Sequence, residues 1–506
     1  MPLLIPLIGA VMSVFLWQLV RWQTFIVALT QFGWLISTGA LLYQVLQKAV
    51  LTTQVGNWPA PYGITLIVDL FSALVLLSGS ITAVAVYFFS LVGLDKTRKK
   101  YGYYPLMLLL QMGVAGVCLT GDVFNLYVWF EVILICCFAL LSLGGKKAQL
   151  EGTLKYVTIN FLASGILLMG TGVIYSLYGS LNMAELGAMV RDDHPNLHLL
   201  SVAGVFFLTG FGIKSALFPL FFWLPASYHT PPIAISAFIA GLISKIGIYA
   251  IIRLHTLIFI QIQDDTQPLL LTLSGLTMVV GVIGAAAQTD LRKILSLHII
   301  SQIGYMLMGL AIYTPLAIAG SVFFILHNVL VKTNLFLISG VVAQRRRTFS
   351  LYQLGGLYLK QPLLAFMFFI TAMALAGLPP LSGFWGKLML VMAGFEAGNY
   401  IIVATSLCVS LVTLFSMTKI WNEVFWKPNP LQRKRHLEPS AEDVLRGRIL
   451  RVPVVFLLIF ILLMSLVAQP LVNLSKRSAE QLLHSEIYIN AVLYKADPTV
   501  AVPKKE

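Results

Sequence analysis

The chain has 506 residues, of which 58% are hydrophobic and only 11% charged, with a mean hydropathy of +0.87. A water-soluble domain carries about 25% charge, so these values exclude a soluble globular protein and point to a polytopic membrane protein. The formal net charge of +14 does not indicate nucleic acid as a partner, because the basic residues recur between apolar runs instead of forming one patch.

Apolar runs near the roughly 20 residues that cross a hydrocarbon core fall at 2–20, 24–47, 64–90, 104–120, 122–143, 154–178, 200–224, 232–258, 268–288, 293–313, 316–343, 362–392, 399–425 and 452–471. That makes about 14 spans. They are long and do not alternate, and lipid requires every backbone polar group to be satisfied internally, so they read as helices and not barrel strands. No basic segment with a cleavage site precedes the first run, so Met1 onward reads as mature chain.

Most of the 34 Lys and Arg residues follow odd-numbered spans: Arg21, Lys96 to Lys100, Lys146 and Lys147, Arg292 and Lys293, Arg345 to Arg347, and the 427–451 segment with Arg433, Lys434 and Arg435. Acidic Glu185, Asp192, Asp193, Asp264 and Asp265 follow even-numbered ones. Basic loops mark the cytoplasmic side, which places both termini on the outer face. The 427–451 segment reads as a cytoplasmic surface loop. The polar stretch 472–506 reads as a tail that either packs on a partner or stays disordered.

Charge inside the spans is the main functional signal. Lys214, Lys245, Lys332, Lys387 and Lys419 lie in apolar runs with Glu131 and Asp69 at similar depth. Each costs at least roughly 2.5–3.5 kcal/mol near the midplane, a penalty usually found where protons or ions move or where charges pair. Cys118, Cys136, Cys137 and Cys408 also fall in spans, none in a C-x-x-C pair, so neither metal nor disulfide chemistry is expected. No nucleotide-binding motif is present, which leaves an ion gradient or a partner as the energy source.

Two spans are interrupted. The seventh places Pro219 and Pro225 after Lys214, and the twelfth places Pro379 and Pro380 before Lys387. Proline removes a helix hydrogen bond, and irregular backbone at membrane depth survives only where protein or water surrounds it. Paired interruptions five spans apart, each with a lysine, predict two inverted five-helix repeats, each containing a broken helix.

GDVFNLYVWFEV (121–132), KSALFPLFFWLPASYHTPP (214–232), DLRKILSLHIISQIGYM (290–306), HNVLVKTNLF (327–336) and GLPPLSGFWGK (377–387) resemble the proton-translocating antiporter family. That family comprises the antiporter-like subunits of respiratory complex I and the large subunits of Mrp-type cation/proton antiporters. The resemblance runs from about residue 60 to 425. GNWPAPYGITLIVD (56–69) and the chain length look most like the D-type branch of the Mrp antiporter subunits. Lys387 argues against the member type with glutamate in the twelfth span. The resemblance implies a bacterial inner-membrane subunit working with other Mrp-type subunits in lipid, exchanging protons for a monovalent cation, Na⁺ first, without a cofactor. It divides the chain into N-terminal helices (1–100), a first repeat (101–260), a second repeat (261–426) and a closing segment (427–506).

The resemblance also assigns roles. Glu131 pairs with Lys214 and switches it between holding and releasing a proton. Lys245 receives that proton, His298, His327 and Lys332 carry it along the second repeat, and Lys387 ends the path. Lysine loses proton affinity on burial and regains it beside a carboxylate, and histidine titrates near neutrality, so both suit a relay. His327 and Lys332 are roughly 140° apart around a helix and 7.5 Å along it, so a bridging water is needed between them. His298 shares a face with Gln302 and Tyr305, either a wire or simple packing. Asp69 is either an uptake group or a helix-interface residue. Lys419 and Glu423 read as a local i, i+4 pair near the cytoplasmic end. A compact Asp/Glu/Asn/Ser cage for dry Na⁺ is not evident. The rival reading is a redox-driven antiporter-like subunit of a complex I-type oxidoreductase or membrane hydrogenase.

Overall fold

The computed structural model describes residues 1–192, 196–428 and 441–494. The chain opens with α1 (Leu4–Phe15) and α2 (Val20–Lys48), then a two-stranded antiparallel hairpin, β1 (Leu51–Gln54) and β2 (Thr65–Val68), registered Leu51 to Val68. Next come α3 (Leu70–Gly93), α4 (Lys96–Lys100), α5 (Tyr103–Leu119), α6 (Val123–Ser142), α7 (Lys147–Tyr178), α8 (Met183–Asp192) and α9 (Leu197–Ser215). The short α10 (Trp223–Ser227) precedes α11 (Ile233–Phe238), which continues through a π turn (Ile239–Ile243) into α12 (Ser244–Leu257). The second half holds α13 (Gln263–Ala287), α14 (Leu291–Ile312), α15 (Pro315–Arg346), α16 (Leu357–Lys360), α17 (Pro362–Ala376), α18 (Ser382–Glu396) and α19 (Tyr400–Trp421). It closes with α20 (Ala441–Ile449), α21 (Val452–Leu466), α22 (Ala468–Leu483) and α23 (Glu486–Leu493).

Among the described residues the protein is thus an all-helical membrane protein apart from one hairpin. Eleven helical stretches among the described residues are long and apolar enough to cross a membrane, and three shorter apolar helices, Leu4–Phe15, Tyr103–Leu119 and Pro362–Ala376, accompany them. The stretch through α11 and α12, together with α14 and α15, is enclosed by other helices, whereas α2, α7, α13 and α19 present apolar residues outward. Lys245, His298, His327 and Lys332 sit on that enclosed set.

Local chemistry sets the ends. Asp69 caps α3 through a reciprocal pair with Ser72, Asp122 caps α6 through the Asn125 N–H, and Asp290 caps α14 through Arg292 and Lys293. Each satisfies amide groups that a helix start leaves without partners. Gly377, at φ 89°, ends α17 in a left-handed turn open to glycine. The hairpin, α8 and α23 gather at one end of the molecule, the hairpin face. α4, the start of α14 with Arg292 and the end of α15 with Arg345 to Arg347 lie at the opposite, basic face.

Two expectations change, and the expected break in the twelfth span is present as two half-helices, α17 and α18. The third span starts at Leu70 and not at 64, because 65–68 pair as a strand. The stretch expected to be a tail is folded as far as residue 494: α22 lies against α15 and α3, and Gln481 bonds the amide of Leu70 and the carbonyl of Ala49. Thr52 donates to Ala491, so the chain end closes onto the hairpin. Asp193, Arg433, Lys434, Arg435 and 495–506 lie outside the described residues.

Candidate functional site

The first cluster forms where α6, α7 and the end of α9 meet. Lys214 occupies the last turn of α9, whose helix stops as the backbone turns left-handed at Ala216 ahead of Pro219. An ammonium there faces the negative end of the helix dipole, and it lies 5.4 Å from the Phe130 ring. Its Nζ donates to Ser164 Oγ at 3.0 Å, and the Ser164 hydroxyl donates to the Glu131 carboxylate. Lys214 Nζ and Glu131 Oε1 stand 3.9 Å apart. The pair expected from sequence is therefore formed, with a hydroxyl between its members. Beside it a cavity with room for about one water is lined by Lys214, Asn160, Tyr156 and Trp223.

The two charges are unequally enclosed: Lys214 exposes 5% of its side chain and Glu131 23%. Glu131 lies on the lateral side of α6 that also carries exposed Val128, Ile135 and Phe138.

Lys245 starts α12 just past the π turn. Its Nζ donates to the Ala240 carbonyl at 2.6 Å, inside that turn. Wide turns of this kind are rare and often mark functional positions. A Cβ on Gly241 would stand 2.0 Å from Thr333 Oγ1, so glycine lets the turn press against α15 beside Lys332. α12 also packs against α9. One enclosed helix thus joins the two halves.

In the second half, Lys332 Nζ has no hydrogen-bond partner among the described residues and stands within electrostatic reach of Lys245 and Lys387. His327 Nδ1 is 2.8 Å from Ser382 Oγ, and His298 Nε2 is 2.9 Å from Ser416 Oγ. The other ring nitrogen of each histidine, both amide atoms of Gln302 and Asn328 Oδ1 are buried without partners among the described residues. Lys387 donates to the Ala376 carbonyl at 2.8 Å and to Ser410 Oγ at 3.0 Å, over the Tyr305 ring at 4.6 Å. Tyr305 shares Ser410 at 2.7 Å.

Buried polar groups normally find partners. This set of orphaned donors and acceptors, running from α12 through α14 and α15, has the chemistry that a chain of waters would satisfy. His327 and Lys332 make no direct bond, in line with their angular separation. Lys387 differs from Lys214 in one respect: it lies after its break, yet reaches back to the last carbonyl of the half-helix before it. Both ammonium groups therefore rest at the carboxyl end of a half-helix.

Two sequence expectations are corrected. Asp69 is not within a span at the depth of the lysines; it is the helix cap at the hairpin face, and its Oδ2 pairs with Arg253 at 2.7 Å. Lys419 does not pair with Glu423. Its Nζ bonds the carbonyls of Ala286 and Gln288 at 2.9 and 3.0 Å, closing the end of α13, while Glu423 pairs with Lys427. The end carbonyls of α13 are a better partner because they lack helix bonds.

Sequence reasoning does not single out Ser164, Ser382, Ser410 or Ser416, since serine bonding its own helix is unremarkable. Nor does it single out Arg253, which sits near a span boundary. Its spacing, eight residues past Lys245 with Tyr249 midway, is the available signal.

Enclosed lysines resting on backbone carbonyls, a hydroxyl-bridged carboxylate and a file of orphaned polar groups are a chemistry able to hold and pass protons inside a membrane protein. Residues 120–413 match the family model described as NADH:quinone oxidoreductase/Mrp antiporter, TM. Over 493 residues the chain is 44% identical to the Na(+)/H(+) antiporter D subunit of Alkalihalophilus pseudofirmus, covering 97% of this chain and 98% of that one. It is 39% identical to the protein of the same name from Bacillus subtilis, with the same coverage. A chain in the solved structure of the Mrp complex from Dietzia sp. DQ12-45-1b superposes with a TM-score of 0.88 at 31% identity, covering 97% of this chain and 99% of that one. The chain belongs to the NADH:quinone oxidoreductase/Mrp antiporter transmembrane family.

Proposed function

We propose that the chain is the proton-conducting membrane subunit of a multi-subunit Mrp-type monovalent cation/proton antiporter, with Na⁺ as the first cation to test. The observation that carries this reading is the Glu131–Ser164–Lys214 bridge, followed by unpartnered polar groups around Lys332. In the proposed order, Lys214 passes its proton to Lys245 when Glu131 is neutralised or displaced. Lys332, His298 and His327 carry it across the second half, and Lys387 delivers it. Fourteen crossings, ten of them in two inverted five-helix repeats at 101–260 and 261–426 and the rest in the flanking 1–100 and 427–506, fit the two helix breaks. The hairpin face is the outer one, so both termini lie outside a bacterial plasma membrane.

Glu131 supports the hetero-oligomer. A partly exposed carboxylate on a lateral face in mid-span costs at least roughly 2.5–3.5 kcal/mol against lipid. Another subunit covering α6 would remove that cost and offer a polar neighbour. Similarity to antiporter D subunits over nearly the whole chain favours cation exchange over the redox-driven rival, which would use the same path.

The test is cation-driven proton movement in inverted membrane vesicles holding the whole complex. Glu131→Ala and Lys214→Ala should each abolish exchange at unchanged membrane level and assembly. Near-normal exchange in either variant would refute the pair's role.

A further inference from the structure

α12 carries a second polar feature that the relay does not use. Lys245, Tyr249 and Arg253 recur every four residues on one side of the helix, so the stripe runs from the level of Lys245 about 12 Å towards the hairpin face. A polar stripe of that kind looks like an exit. Its far end is closed.

The Arg253 guanidinium pairs with Asp69 Oδ2 at 2.7 Å, and both side chains are buried. Three rings surround it: Phe71 at 5.8 Å, Tyr249 at 5.6 Å and Tyr488 at 5.3 Å from the guanidinium carbon. Tyr249 donates its hydroxyl proton to the Cys118 carbonyl at 3.0 Å and accepts from Arg253 at 3.4 Å. Asp69 Oδ1 accepts from the Ser72 amide at 3.0 Å. α23 covers the cluster with Tyr488. No polar side-chain atom of Asp69, Tyr249 or Arg253 is buried without a partner, in contrast to Ser244, Lys332, Asn328 and Gln302 in the other direction. A guanidinium keeps its proton in proteins, so it cannot relay one, and a cluster whose polar atoms already bond one another leaves no free donor or acceptor to hold a file of water.

We propose that Arg253, paired with Asp69 and caged by Phe71, Tyr249 and Tyr488, is a sealed ion-pair plug. It closes the direct route from Lys245 to the hairpin face, so a proton on Lys245 moves on only towards Lys332. The plug rests on the relay reading above. It gives Asp69 a role: the aspartate holds the plug in place and takes up no proton.

The experiment uses the complete complex in inverted vesicles and measures proton leak after a pH step with no cation gradient. Asp69→Ser with Arg253→Ser removes both charges together, because removing one alone leaves an uncompensated buried charge, and the shorter hydroxyl side chains leave a polar space that water can enter. This double variant should leak several-fold faster than the parent and lose coupled exchange. Tyr488→Ala keeps both charges but opens the cage, and should leak to a smaller extent. Adding Lys245→Met to the leaky double variant should stop the leak.

A double variant that assembles at the parental level with no added leak overturns the plug. If the double variant does not assemble, Tyr488→Ala decides: a tight Tyr488→Ala vesicle overturns it equally. A leak that survives Lys245→Met shows a route bypassing α12 and also overturns it. Failure of the relay itself has a separate signature, normal exchange in Lys245→Met alone.

Discussion

Ser164→Ala tests the first cluster with a single oxygen. In the native arrangement Lys214 is stabilised by a 3.0 Å bond to the hydroxyl and by attraction across 3.9 Å to the Glu131 carboxylate. At an effective dielectric of about 20, two unit charges near 4 Å apart attract by about 4 kcal/mol. A hydrogen bond to a charged group contributes about 1.5–3 kcal/mol. Removing the hydroxyl therefore destabilises the charged pair by less than half to about three quarters of what removing the carboxylate does. One factor of ten corresponds to about 1.4 kcal/mol, so exchange in Ser164→Ala should fall roughly 10- to 100-fold while staying measurable, and Glu131→Ala should be inactive. The assay is Na⁺-driven collapse of a pH gradient, read by a fluorescent amine in inverted vesicles at matched protein level. Parental activity in Ser164→Ala would mean that the hydroxyl bridge does not matter. A variant as dead as Glu131→Ala would mean that the carboxylate acts only through the hydroxyl, as a proton path, and the division into bond and field would be wrong.

Lys245→Met keeps the side chain's bulk without its proton and should lose exchange; Lys245→Arg keeps charge but holds its proton and should lose it as well, so activity in the Arg variant would reduce Lys245 to an electrostatic fixture. Lys387→Ala should impair cation-driven proton flux far more than Lys419→Ala, because Lys387 lies among the enclosed groups whereas Lys419 only closes the end of α13. Equal mild defects would make the second half scaffold. In a chain freed of its native cysteines, a cysteine at 264 should label from outside the cell and one at 346 should not; the reverse pattern would invert the topology.

Much of this is legible because membranes punish exceptions. A lysine in an apolar run stands out, and Lys214, Lys245, Lys332 and Lys387 are all buried among helices, with both predicted interruptions present as real helix ends. What the residues leave dark is partnership. Lys419 and Glu423 have the spacing of a helical pair, yet the open carbonyls of α13 compete better for the ammonium. Asp69 looks like a buried charge in a span, since nothing in 64–69 distinguishes a short strand from the start of an apolar helix. Arg253 is hidden by its place near a predicted boundary, although its four-residue spacing from Tyr249 and Lys245 is on view. Ser164 carries no signal alone; only the meeting of α6, α7 and α9 gives it work.

The bond between Lys245 and Ala240 ties electrical state to backbone shape. While the ammonium carries its proton, it supplies a strong donor to an oxygen inside the wide turn, which favours that turn over regular winding. Once the proton leaves, the donor is weaker and the preference shrinks. The turn presses on α15 through Gly241, and the same helix packs on α9. Under the proposed relay, a proton leaving Lys245 is therefore also a small mechanical pulse, delivered where the two halves of the protein touch. A bulkier residue at 241 would hold them apart and break that conversation without replacing any titrating group.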